Sequence, residues 1–278
     1  MTLLTFSILL TGCSFLAGIL GALTGLGGGV IVIPVLILLF HVPIHYAMGA
    51  SLISVIATSA GSAAAYLRAG YTNIRIGMLL EVAAVTGALL GALLIAIVSK
   101  VFLMIVFSLV LFFSAYLTLK RSEDNEIYLF SHPLAQSLKL DGTHFVRGQV
   151  ESYHVQQVPF AIFTIGIAGI LSGLLGIGSG TMKVLAMDHY LKLPYKVATT
   201  TSNFMIGITA AVSAGIYFQR GYINPTITFP VLIGAFIGSL CGTKLISRIQ
   251  VKSLRIIFSI TICFVGLQML YNALEGRT

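Results

Sequence analysis

The 278-residue chain is 57% hydrophobic and only 9% charged, with a mean hydropathy of +1.01. Soluble domains carry about 25% charged residues, so this composition excludes a water-soluble enzyme and points to a bilayer. The formal charge of +8 does not imply nucleic acid: no basic run is interleaved with aromatics, and membrane proteins gather Lys and Arg in cytoplasmic loops.

Residues 3–23 predict an apolar helix, followed by a glycine break at 25–29 and a shorter apolar run, 30–40. That second run is too short for a hydrocarbon core needing about 20 residues. Residues 3–40 are therefore either a hairpin dipping into the membrane or one crossing with a partial return. His41-Val-Pro-Ile-His45 is a short polar connection, and 46–67, 76–98 and 101–119 read as three full spans. From Lys120 to about Gln157 the chain turns polar, with His132-Pro133 and Asp141-Gly142. We expect a solvated, partly helical linker there, with too little apolar material for a core of its own. The second half gives a helix at 158–175, a break at 176–180, a short run at 181–191, and spans at 196–218, 226–247 and 252–272.

The halves are copies. Gly18-Ile-Leu-Gly-Ala-Leu-Thr-Gly-Leu-Gly-Gly-Gly-Val30 recurs as Gly169-Ile-Leu-Ser-Gly-Leu-Leu-Gly-Ile-Gly-Ser-Gly-Thr181, shifted by 151. The same shift relates Pro43 to Pro194, Ser51 to Ser202, Tyr66 to Tyr217, Gly70-Tyr71 to Gly221-Tyr222 and Asn73 to Asn224. The expected domains are thus two membrane repeats, 1–119 and 158–278, joined by the linker 120–157.

Charge decides their relative orientation. If each half crosses an odd number of times, one side receives twelve of the sixteen basic residues: Arg68, Arg75, Lys120, Arg121, Lys139, Arg147, Lys192, Lys196, Lys244, Arg248, Lys252 and Arg255. The other receives Lys100, Arg220 and Arg277, and Lys183 stays inside. Four crossings per half remove the bias. The positive-inside rule therefore favours inverted repeats, with both termini outside and the linker cytoplasmic.

Glycines cannot hold a regular helix cheaply, and an interrupted helix is tolerated in lipid only where it lines a cavity or is buried in protein. Paired interruptions point to a transporter's substrate site. The helix that restarts after each break offers unpaired amides and a positive dipole end, which suit an anion. Gly27, Gly28 and Gly29, with Gly178, Ser179 and Gly180, are therefore two candidate half-sites; close helix packing is the competing use of glycine. Lys183, where the first half has Val32, is a functional candidate because an intramembrane Lys is costly, unless it pairs with Asp188 or Glu81 or snorkels to an interface. Glu81, whose repeat mate is Leu232, is a candidate proton carrier or an interfacial partner of Arg75. Ser51, Ser202 and Asn203 open matched polar helix starts (Ser54, Thr58 and Ser59 in the first, Thr199–201 in the second) that could bind an oxyanion or bridge helices. Gly87xxxGly91 and Gly238xxxGly242 read as packing faces. Tyr66, Tyr71, Tyr217 and Tyr222 read as interface-belt aromatics. Cys13, Cys241 and Cys263 lack metal-ligand spacing and read as small buried hydrophobes. No HExxH, GxSxG or phosphate-loop motif occurs, so no enzyme, cofactor or metal is expected.

The stretches Gly21-Ala-Leu-Thr-Gly-Leu-Gly-Gly-Gly-Val30 with Pro34, and Ser172-Gly-Leu-Leu-Gly-Ile-Gly-Ser-Gly180, resemble the signature of the TauE/SafE sulfite exporter family. The Gly70-Tyr71-x-Asn73 and Gly221-Tyr222-x-Asn224 turns resemble it as well. The resemblance implies an inner-membrane permease for small sulfur-containing or organic anions. The expectation is an all-α polytopic protein of two inverted repeats. Its mechanism would be alternating access, with proton coupling through Glu81 or a His. Its partners would be a small anionic substrate and membrane lipid, with no nucleic acid and homodimer assembly left open. An uncoupled channel, a carboxylate or cation carrier, and a scaffolding subunit are the rival readings.

Overall fold

The structure is a computed structural model that describes residues 3–95, 97–120, 131–146 and 149–245, with positions 259, 260, 263, 266, 267, 270 and 271. Most of the expected last span, 252–272, lies outside the described residues, as do Arg121, Arg147, Arg248, Lys252, Arg255 and Arg277. The elements are α1 (Leu3–Thr24), α2 (Gly29–Leu38), α3 (Ile44–Arg68), α4 (Ile74–Leu94), α5 (Lys100–Lys120), α6 (Pro133–Ser137), β1 (Gly142–Val146), β2 (Gln149–Tyr153), α7 (Val158–Leu175), α8 (Gly180–His189), α9 (Tyr195–Gln219) and α10 (Pro225–Leu245).

Six of these helices are long and apolar enough to cross a membrane: α1, α3, α4, α7, α9 and α10. Their outer faces remain apolar, with Val82 68% and Phe229 64% exposed. A water-soluble protein would bury such side chains; here lipid is the solvent.

The 151-residue repeat reappears in the structure. The ends of α2, α3 and α4 recur at that shift as the ends of α8, α9 and α10. Local chemistry sets these limits. Pro43 and Pro194 precede α3 and α9 in extended conformation, and Gly70 and Gly221 follow them with φ of 72°. Asn73 Oδ1 accepts from the Ile76 N–H at 3.1 Å to cap α4, and its mate Asn224 accepts from Thr226 N–H at 3.0 Å.

The halves are woven together. α1 packs along α10, and α4 along α7, as the broadest helix contacts. A Cβ on Gly238 would overlap the Phe15 carbonyl, and one on Gly87 the Gly166 carbonyl, the repeat-matched contact. Gly18 meets Ala235 as Gly169 meets Ala84. The glycines at 87, 91, 238 and 242 thus let backbones touch, as the packing-face reading expected. At the centre, α3 and its copy α9 run antiparallel: Ser59 Oγ donates to the Asn203 carbonyl at 2.5 Å, while Met48 Sδ lies 3.9 Å from Tyr217 Oη.

Residues 3–40 fold as a turn-back of unequal arms, the span-length α1 followed by the short α2. Gly21 abuts Gly28 at its tip, and Phe6 meets Phe40 edge to face at 5.1 Å near its mouth. The ten residues of α2 span about 15 Å, half the hydrocarbon thickness. The second half repeats the device, with Phe160 and Tyr190 stacked at 6.2 Å.

The linker departs from expectation. Its described part is a short helix and an antiparallel hairpin, Gly142 opposite Tyr153, docked on the membrane helices. Ala135, Leu140, Tyr153 and Val155 are buried in one cluster with Ile76, Leu80 and Val197. Asn73 Nδ2 donates to the Leu140 carbonyl at 2.9 Å and to Tyr153 Oη at 2.8 Å. These few apolar residues cannot make a core alone, but they complete one at the end of α4.

Candidate functional site

The two breaks interlock beside the middle of α3 and α9. Gly25, Gly27, Gly176 and Gly178 have φ between 68° and 74°, conformations glycine adopts at little cost. Ser179 holds φ of 45° without glycine's freedom. The breaks clasp by reciprocal bonds: Ser51 Oγ donates to the Gly176 carbonyl at 2.7 Å, and its mate Ser202 Oγ to the Gly25 carbonyl at 3.0 Å. Asn203 Nδ2 adds a bond to the Ala22 carbonyl at 3.0 Å. The hydroxyls of Ser51 and Ser202 therefore hold the freed carbonyls of the opposite break.

Contact explains much of the glycine content. A Cβ on Gly180 would lie 2.5 Å from the Gly25 carbonyl, and one on Gly29 would overlap Ser51 Oγ. Gly27 and Gly178 both press on Val55. Gly28 differs: its φ of −64° is ordinary helix, and its nearest neighbours are the Ser54 and Thr58 hydroxyls.

Tyr66 and Tyr217 are not belt aromatics. They are 2% and 0% exposed, and Tyr66 Oη donates to the Ala22 carbonyl at 3.0 Å, while Tyr217 Oη bonds to the matched Gly173 carbonyl at 3.1 Å. A Tyr one turn from a helix end reads alike whether it faces lipid or the bundle. Here the frayed carbonyls before each break supplied the partner. Tyr71 and Tyr222 are half-buried. Lys196 Nζ sits 4.0 Å over the Tyr71 ring, and Tyr222 stacks on His45 at 4.9 Å.

Beside the second break lies a buried ionic cluster drawn from three helices. Lys183 on α8 is 0% exposed, and its Nζ lies 3.4 Å from Glu81 Oε2 on α4. Lys183 also donates to Thr209 Oγ1 on α9, and Thr209 donates to Glu81 Oε1 at 2.5 Å. The pairing of Lys183 with Glu81 was one of the arrangements open from sequence; Asp188 is not its partner. Thr209 was missed, though it lies seven residues, two turns, beyond Ser202 on the same face and is the copy of Thr58. Arg75, the other partner considered for Glu81, instead donates to the Lys139 carbonyl at 3.0 Å. Among the described residues no group of His, Cys, Asp and Glu could hold a metal.

The polar ends of the bundle are distinct. Arg75, Lys139, Lys196 and Tyr71 gather at one, while Arg220 at the other donates to the Leu93 carbonyl at 3.2 Å.

Apolar crossings around paired broken helices, with a buried ion pair beside the second break, define a multi-pass membrane protein of transporter type. The chain belongs to the sulfite exporter TauE/SafE family, whose sequence model matches residues 10–269. Similar proteins include YunE of Bacillus subtilis, 27% identical over 96% of this chain and 98% of its own. YdhB of the same organism is 29% identical over 92% and 97%. A Methanocaldococcus jannaschii relative is 28% identical over 92% of each. All three are named probable membrane transporter proteins. No solved structure matches the chain.

Proposed function

We propose that the protein is an inner-membrane permease for a small anion of the sulfite or sulfonate type, working by alternating access between inverted repeats. The observation that carries this reading is the buried Lys183–Thr209–Glu81 cluster beside two interlocked helix breaks. An intramembrane charge pair is costly to keep and is a functional candidate by default. Restarted helices aim positive dipole ends into the same region. The family description supplies the sulfur chemistry.

The inverted arrangement draws support from the antiparallel packing of α3 on its copy α9. The basic end carrying Arg75, Lys139 and Lys196 is assigned to the cytoplasm, which puts both termini outside. Glu81 is the assigned proton carrier: protonating it would free Lys183, and losing that proton would restore the pair. One repeat bundle then moves against the other while the clasp of Ser51 and Ser202 parts.

Purified protein in detergent should gain thermal stability with sulfite or sulfonates, since a ligand that binds only the folded state raises its apparent stability. A panel of sulfite, thiosulfate, sulfate, sulfonates and carboxylates in which no anion shifts the melting temperature would overturn the reading.

A further inference from the structure

The two breaks are copies, yet their surroundings differ: Gly28 and Ser54 are matched by Ser179 and Met205, while Thr58 is matched by Thr209. In the second half the Thr209 hydroxyl donates to a carboxylate oxygen of Glu81, beside the Lys183 ammonium. In the first half the matched residues are Thr58, Leu232 and Val32, so neither the carboxylate nor the ammonium is supplied. Thr58 Oγ1 is buried without a hydrogen-bond partner, and so is Ser54 Oγ, one turn earlier on the same face. Both residues are 0% exposed. Buried hydroxyls are ordinarily satisfied; two adjacent exceptions need a cause.

Both hydroxyls point at the amino terminus of α2. They stand 3.0 Å and 3.2 Å from where a Cβ on Gly28 would lie, and Gly28 is the N-cap of that ten-residue helix. The first amides of a helix have no intrahelical acceptor and attract anions. Gly28 does not need glycine for its backbone, because its φ is −64°. Its missing methyl is what leaves room before the hydroxyls.

The geometry points to an oxyanion site formed by the amino terminus of α2 at Gly28 with the hydroxyls of Ser54 and Thr58. This deepens the permease reading and rests on it. The Glu81–Thr209 bond is an internal template: at the copied position, this hydroxyl binds an oxygen of an anion. Among the described residues, the nearest neighbours of the Gly28 position are neutral: the two hydroxyls, and the Ala17 carbonyl at 3.3 Å. Burying a doubly charged ion there carries a larger desolvation cost than burying a singly charged one. The site therefore selects monovalent oxyanions, such as hydrogensulfite and alkylsulfonates, over sulfate. The gap between the groups is methyl-sized, so admission of the ion requires α2 to draw back from α3.

The test is titration of the full chain in detergent with methanesulfonate, hydrogensulfite and sulfate, followed by calorimetry and melting temperature. Wild type is expected to bind methanesulfonate more tightly than sulfate. Thr58→Val removes a donor without changing shape, and Gly28→Ala wedges a methyl into the gap. Each should weaken methanesulfonate binding by about tenfold or more while the melting temperature without anion stays near that of wild type. Ser54→Ala, the mildest change, carries the same expectation and decides the matter where either other variant fails to fold. Anion binding by wild type that these variants leave unchanged would overturn this site while the permease reading stands. Tighter binding of sulfate than of methanesulfonate would overturn the selectivity. A wild type that binds none of the three would remove both the site and an anion permease.

Discussion

Lys183 and Glu81 are 102 residues apart in sequence, and each has an apolar repeat mate, Val32 and Leu232. Removing one partner strands a buried charge, which costs about 3–5 kcal/mol, whereas replacing both by apolar residues is often neutral or stabilising. Lys183→Val and Glu81→Leu should each lower stability by that order. The double variant, which installs the pair already tolerated in the other half, should recover most of it. Thermal unfolding in detergent measures the cycle; additive losses would mean the two residues do not depend on each other. That Lys183 mattered was legible from its cost in lipid. Its partner was only one of several candidates, because pairing across helices depends on crossing geometry that no spacing in the chain encodes. Thr209 escaped notice for a related reason: an intramembrane hydroxyl usually bonds to its own helix, and only the fold reveals a charge beside it.

The helices were nearly all legible, because hydrocarbon-length apolar runs ended by Pro, Gly and Asn punctuate the chain from end to end. Their contacts divide the glycines by role. A Cβ on Gly173 of α7 would overlap the Ala88 carbonyl of α4, while one on Gly215 of α9 meets nothing within 4 Å. Gly173→Ala should therefore cost at least about 1–3 kcal/mol through forced separation of backbones. Gly215→Ala should stabilise by up to about 1 kcal/mol through helix propensity. Equal melting temperatures for the two would contradict the packing described. The docked linker was the least legible element, since its four apolar side chains count for little until a membrane helix offers them a surface. Burial alone would raise the carboxyl of Asp141, but donation from Ser131, the Val155 N–H and His154 more than offsets it, and the group titrates below its ordinary 3.8. A depressed carboxylate stabilises the folded form above its unfolded value and loses that contribution as pH falls through the folded one. Hydrogen exchange in 131–157 should thus accelerate as pH drops below about 3.8, after correction for intrinsic rates. Unchanged protection there would separate Asp141 from the docking.

At the scale of the molecule, the halves are not two modules laid side by side. The first helix of each lies along a later helix of the other, α1 on α10 and α7 on α4, and each glycine break is clasped by a serine from the opposite half. The proposed alternating access would part both clasps together, since each serine holds a carbonyl of the opposite break. The duplication was legible at a glance from the constant shift. The weave was not, because two copies can pack within or across themselves with the same apolar patterns. Function at this scale is vectorial and needs a sealed compartment. The most direct measurement is sulfite flux into proteoliposomes, with and without a pH gradient, for wild type and for the Lys183→Val/Glu81→Leu double variant. The account predicts wild-type flux that responds to the gradient, and a folded double variant whose residual flux ignores it. Folded wild-type protein that moves no sulfite or sulfonate under either condition would contradict the account.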